Sequence, residues 1–282
     1  LAMSKGFLTI AQNTADVDYL RLAYLQALNV KSTHPGAKYA IIVDFETYCE
    51  ITDKNKRVFD HIITLADDNS KSDNWKLGNE YKVFELSPFK ETIKVESDLL
   101  FTTNIDHWLS AFRLRDVVLS TGCRTYRQEL ATSRAYRKFF DDNNLPDVYQ
   151  GLMYFRYSQA AHDFFRVAKA IRHEWSMVKT ALQKCDEETP STDVLYALTA
   201  LNIGQETVTM PSMDFINFVH MKSEFNGWSD TRSWLDTVMN ERDGDIIRVN
   251  NLNQYNPVHY YDKTYATDEL IEYYEQRVLD RV

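Results

Sequence analysis

GFLTIAQNTADVDYLRLAYLQAL, residues 6–28, reads as strand, polar turn and helix in immediate succession. Residues 6–11 are apolar and β-branched, and the run breaks at Gln12-Asn13-Thr14. Tyr19, Leu20, Leu22, Ala23, Leu25, Ala27 and Leu28 then recur with a helical period. His34-Pro35-Gly36 punctuates as a turn, and residues 39–43 form a second buried strand. The same alternation continues: strands at 59–65, 92–95, 117–120 and 151–157, a polar loop at 66–73, and helical pattern at 79–86, from Asn104, at 160–182 and at 194–201. Thr192-Asp193 reads as the cap of the 194–201 helix. A chain that alternates in this way builds a mainly parallel sheet covered by helices, and such sheets bind ligands at the carboxyl ends of their strands. The fold class is therefore α/β, and beyond Met210 the pattern is aromatic and irregular until a last helix near Thr267.

The chain has 282 residues, 44% hydrophobic and 26% charged, which suits one α/β unit with a sizeable core. No apolar run approaches the roughly 20 residues that span a bilayer, and Leu1-Ala2-Met3-Ser4 lacks the features of a signal peptide, so a cytoplasmic location and no membrane partner are expected. Cys49, Cys123 and Cys185 are widely spaced and odd in number, as reduced thiols would be. A net charge of −9 argues against a protein that coats nucleic acid. Locally, however, residues 113–138 hold seven basic residues (Arg113, Arg115, Arg124, Arg127, Arg134, Arg137, Lys138) against two acidic ones. They read either as a solvated helix face or as a phosphate-facing surface.

TIKVESDLLF, residues 92–101, places two carboxylates one residue apart at the end of an apolar run. On a strand, residues i and i+2 point to the same side, so Glu96 and Asp98 can converge on one hard cation such as Mg²⁺ or Mn²⁺. A solvated strand end is the plainer alternative. His220, in FVHMK, reads either as a packed histidine or as a ligand, and Lys222 either as a surface lysine or as a point charge for phosphate.

The order of these elements resembles the nucleotide-sugar glycosyltransferases of the GT-A type, in particular the glycogenin and lipopolysaccharide galactosyltransferase-like family. The stretches NEYKVFELSPFKETIKVESDLLFTTNIDHW, NLPDVYQGLMYFRYS and NFVHMKSEFNGW look most like the members carried by T4-like bacteriophages. The resemblance covers residues 6–228. It implies a GT-A-like, Rossmann-like domain over residues 5–230, with residues 231–282 as an extension packed on the core. It implies a metal site at Glu96, Asp98 and His220, with Glu96 standing where the family's DXD motif has Asp. Gln12, Asn13 and Tyr19 fall where the family binds nucleobase and ribose, and Lys82 falls where a basic residue nears the donor. Ser97 lies between the carboxylates, Gln150 and Gly151 under the sugar, Asp193 near the reacting carbon, and Asp147 is its distant substitute. The family usually has Gly and Lys-Pro-Trp at fixed distances after its late His, whereas Lys222 follows His220 almost at once, which leaves the phosphate role of Lys222 open. The implied activity is transfer of a sugar from a UDP-sugar, with Mn²⁺ or Mg²⁺, to a hydroxyl and with retention of configuration. The implied phage acceptor is 5-hydroxymethylcytosine in double-stranded DNA, receiving glucose or arabinose, with residues 113–138 facing the duplex. The alternatives are an acceptor on a glycan or protein, and a binding protein that keeps the fold without the chemistry.

Overall fold

A computed structural model describes residues 4–71, 76–131, 134–210, 217–228 and 232–279, with only the backbone of 134–136. Six strands form the central sheet: β1 (Lys5–Ile10), β2 (Lys38–Val43), β3 (His61–Thr64), β4 (Glu91–Val95), β6 (Val117–Thr121) and β7 (Val148–Arg156), in the order β3-β2-β1-β4-β7-β6. The pairs β1/β2, β2/β3 and β1/β4 are parallel, while β7 runs antiparallel to both β4 and β6. The sheet is thus mainly parallel, with β7 opposed to the rest. Apart from the edge strand β3, the strands are largely buried on both faces, as the continuous apolar runs in the sequence require.

Each face of the sheet carries its own apolar core. One is built on the helix Tyr19–Thr33, which the Asp18 carboxylate caps by accepting from the Arg21 N–H. The helix Asp268–Val278 packs beside it, capped by Thr267, and Asn29 donates to the Tyr274 hydroxyl at 2.9 Å. The other core is covered by the helices Gln159–His173 and Thr192–Ile203. The helix expected over 160–182 is shorter than its pattern. It ends at Glu174 and resumes as the turn Trp175–Val178, which buries Trp175 and lets its indole donate to the Glu187 carbonyl at 3.0 Å. The expected Thr192-Asp193 cap is corrected too: Ser191 holds the cap position, Thr192 and Asp193 lie inside the helix, and the Asp193 carboxylate is engaged elsewhere.

A second, three-stranded sheet joins distant parts of the chain. β5 (Leu99–Leu100), β8 (Val219–His220) and β12 (Val258–His259) lie in the order β5-β12-β8, with β12 antiparallel to β5 and parallel to β8 in the register His259 to His220. Between β8 and β12, strands β9 (Asn240–Asp243), β10 (Ile246–Val249) and β11 (Leu252–Gln254) make an antiparallel meander. No helix among the described residues is long and apolar enough to cross a membrane, and the three cysteines are free.

Candidate active site

β4 ends at Val95, so the strand pleat does not set the positions of the two carboxylates. A turn does: the Leu99 N–H donates to the Glu96 carbonyl at 3.1 Å, and the Glu96 N–H donates to the Gly151 carbonyl at 3.1 Å. From the first helix, buried Gln26 donates to the Glu96 and Leu99 carbonyls, the latter at 2.7 Å, which locks the turn against the helix. The Tyr260 N–H donates to the Asp98 carbonyl at 3.0 Å, which brings β12 alongside. His259 Nε2 then lies 2.8 Å from Asp98 Oδ2 and 3.3 Å from Glu96 Oε2. The Lys263 ammonium bonds the same Asp98 oxygen.

Among the described residues, Glu96, Asp98 and His259 form the group able to hold a metal ion, with ligand atoms within 4.8 Å of one another. The sequence pointed to His220 for the third place. His220 instead lies on the neighbouring strand, its ring centroid 4.3 Å from that of His259. Two carboxylates and one imidazole suit Mn²⁺ or Mg²⁺ with a partial preference for the softer ion, and Glu96, whose side chain is 31% exposed, opens the group to further oxygen ligands. The residues fit such an ion.

The electrostatics follow from this packing. Burial works against ionisation of Asp98, but the charges of His259 and Lys263 outweigh it and hold its carboxyl well below the usual range. Burial pushes Glu96 up, with Asp98 adding to the rise. His259 is raised by its two carboxylates against the pull of burial, whereas burial and then His259 push His220 far down.

The group forms one wall of a cleft of about 290 Å³ at the carboxyl ends of β1 and β4 and the start of β7. Pairing between β6 and β7 jumps from Leu119/Met153 to Ser120/Tyr149, so Gln150, Gly151 and Leu152 leave the pairing with β6 as a bulge, while Leu152 still pairs with Val95 of β4. The freed groups find other partners. Asp193 Oδ1 accepts from the Gln150 N–H at 2.8 Å, and the Ser120 hydroxyl donates to the Leu152 carbonyl at 2.7 Å. Asp193 Oδ2 accepts from Arg137 at 3.0 Å. Gly151 is required by close approach, because a Cβ there would sit 2.8 Å from Phe218 Cζ.

Gln12, Tyr19, Ser97, Gln150, Gly151, Asp193, His220 and Lys222 all line this cleft with Glu96 and Asp98. Gln12 is tied at both ends, donating to Asp44 at 3.0 Å and accepting from Asn79 at 2.9 Å. Two of the expected binding residues are not among the lining ones. Asn13 donates to Glu50 and accepts from the Leu20 N–H, and the Lys82 ammonium bonds the Asp67 carbonyl. Asp147 is also elsewhere, 3.3 Å from Arg137.

The structure adds His259, Lys263, Tyr261, Lys94 and Glu80 to the cleft. A signal for the first two stands in the sequence: PVHYYDK, residues 257–263, repeats the Val-His-then-Lys pattern of FVHMK at 218–222. Tyr261 has φ of 61°, a left-handed conformation rare for a bulky residue.

Several of the basic residues of 113–138 are engaged by neighbouring groups, although Arg113, Arg127 and Lys138 remain exposed. Arg113 pairs with the buried Glu91 at 2.7 Å, Arg137 is 3% exposed, and Lys138 pairs with Asp142 at 2.8 Å. Arg124 donates to the Gln128 carbonyl and Arg115 to that of Glu206. The side chain of Arg134 lies outside the described residues. Among the described residues, these pairings lend no support to a duplex-facing surface.

No protein-family model and no curated protein matches the chain. Among solved structures, the apo form of the glycosyltransferase GlyE from Streptococcus pneumoniae TIGR4 aligns over 98% of this chain and 60% of its own, with 9% identity and a TM-score of 0.50. The fold is that of the GT-A glycosyltransferases. The galactosyltransferase LgtC, solved with donor and acceptor sugar analogues, aligns over 70% of each chain with 10% identity and a TM-score of 0.43. Mouse xyloside xylosyltransferase 1 aligns over 73% of this chain and 84% of its own, with 11% identity and a TM-score of 0.42.

Proposed function

We propose that the chain is a metal-dependent glycosyltransferase that moves a sugar from a UDP-sugar to a hydroxyl acceptor, with retention of configuration. The observation that carries this reading is the convergence of Glu96, Asp98 and His259 with the Lys263 ammonium on one wall of a cleft whose floor holds Gln150. The shared fold of GlyE supports it.

Glu96, Asp98 and His259 would hold Mn²⁺ or Mg²⁺, which when bound supplies positive charge to a departing diphosphate. Lys263 and Lys222 face the same space and add fixed cations, which stabilise developing negative charge without reorganising. Tyr19, whose ring centroid is 5.9 Å from the Lys263 ammonium, offers a surface for the nucleobase. Asp193 holds the bulge that aims Gln150 into the cleft and presents a fixed negative charge where positive charge builds on the sugar carbon.

Thermal unfolding with and without Mn²⁺, across a panel of UDP-sugars and repeated with Asp98→Asn, tests the reading. A metal-dependent rise with a UDP-sugar, lost in the variant, is expected. No shift with any donor would refute it. With the donor known, hydroxymethylcytosine DNA, an oligosaccharide and a peptide can be compared as acceptors.

A further inference from the structure

Lys94 is 1% exposed, a rare condition for a lysine, and yet it lines the cleft. The alternation along β4 puts Ile93 and Val95 into the core on one face and turns Lys94 to the other. Its Nζ lies 2.6 Å from Glu80 Oε2, and Gln150 Nε2 donates to that same oxygen at 3.0 Å. Capacity remains in this trio: beyond its ion pair with Glu80, Lys94 Nζ makes no further hydrogen bond, and Gln150 Oε1, on a side chain only 2% exposed, has none. Buried ion pairs are no more stabilising than apolar packing of the same volume, so stability alone does not account for one left half satisfied at a cleft floor.

We propose that Lys94 and Gln150 grip the sugar of the donor, with Lys94 Nζ donating to one hydroxyl oxygen and Gln150 Oε1 accepting from a neighbouring hydroxyl, while Glu80 holds both side chains in place. This rests on the transferase reading. The charges of Lys94 and Glu80 cancel, and Glu96, Asp98 and Asp193 line the same cleft. The floor therefore selects a neutral sugar with adjacent hydroxyls over a uronic acid.

Isothermal titration of the whole chain in Mn²⁺ with UDP, UDP-glucose, UDP-galactose, UDP-xylose and UDP-glucuronic acid tests this. Replacing Lys94 alone strands Glu80, so the variant is Lys94→Met with Glu80→Gln, and Gln150→Leu is the independent second. Wild type should bind its best neutral UDP-sugar about tenfold more tightly than UDP, as one charge-assisted hydrogen bond provides. Both variants should keep the affinity for UDP and lose that preference. A preference that survives in the variants overturns the role of Lys94 and Gln150 and leaves the transferase reading intact. Equal binding of UDP-glucuronic acid, or UDP binding with no gain from any neutral sugar, overturns the assignment of the floor. Wild type that binds no UDP removes the transferase reading and this one with it.

Discussion

His34 offers the cleanest quantitative check on the packing. It ends the first helix, is 2% exposed, and lies between Phe7 and Phe101 with ring centroids at 5.0 and 5.1 Å. Its Nε2 accepts the Ile105 N–H at 2.9 Å, so that nitrogen carries no proton in the fold. Burial pushes its pKa down from 6.5 to about 4. The unfolded chain thus takes up this proton more readily than the folded one. The stabilisation from a neutral His34 is complete above about pH 6.5 and is lost as pH falls toward 4. At about 1.4 kcal/mol per pH unit, the full loss is about 3 kcal/mol, of which about 2 kcal/mol has gone by about pH 5. Urea unfolding of wild type and His34→Gln at about pH 7.5 and about pH 5 isolates the contribution, because the other titrating groups are common to both. Wild type should lose about 2 kcal/mol more than the variant between the two conditions. Equal losses, or an NMR titration of the folded protein with His34 near 6.5, would refute the packing around this ring.

Arg137→Met should cost about 3–5 kcal/mol in denaturant unfolding, because it strands the Asp193 carboxylate that holds Gln150; an unchanged midpoint would mean the ion pair is dispensable. His259→Gln should weaken Mn²⁺ binding by about 10–100-fold by calorimetry and His220→Gln by less, since His259 lies within 3.3 Å of both carboxylates; the reverse order would give the ligand role to His220. Gly151→Ala should destabilise by about 1–3 kcal/mol through the clash with Phe218, and wild-type stability in that variant would show that the ring has room to yield.

The main sheet was legible because its signals are local. Apolar runs of strand length, turns at fixed places and the period of the first helix specify β1, β2 and β4, and the carboxyl ends of β1 and β4 bring Gln12 and Glu96 toward one cleft. Where the sequence misled, local periodicity competed with tertiary contacts. Residues 80–82 form a 3₁₀ turn, which sends Glu80 inward and leaves Lys82 on the Asp67 carbonyl. The bulge in β7 has no composition of its own, so the place of Gln150 in the cleft was legible only through the family resemblance. His259 sits on a strand of two residues, too short for any periodic signal, and its partners are fixed by pairing with β5 and β8 rather than by neighbours in the chain.

The bond between His259 and Asp98 spans 161 positions. During synthesis the central sheet can gather from its early strands while the carboxylate turn is still without its imidazole and its lysine. The site is completed only when residues 258–263 have left the ribosome and threaded between β5 and β8. Chains that terminate before this point lack both the finished centre and the helix Asp268–Val278 that covers one core, so the last stretch to be synthesised completes the fold and the site together.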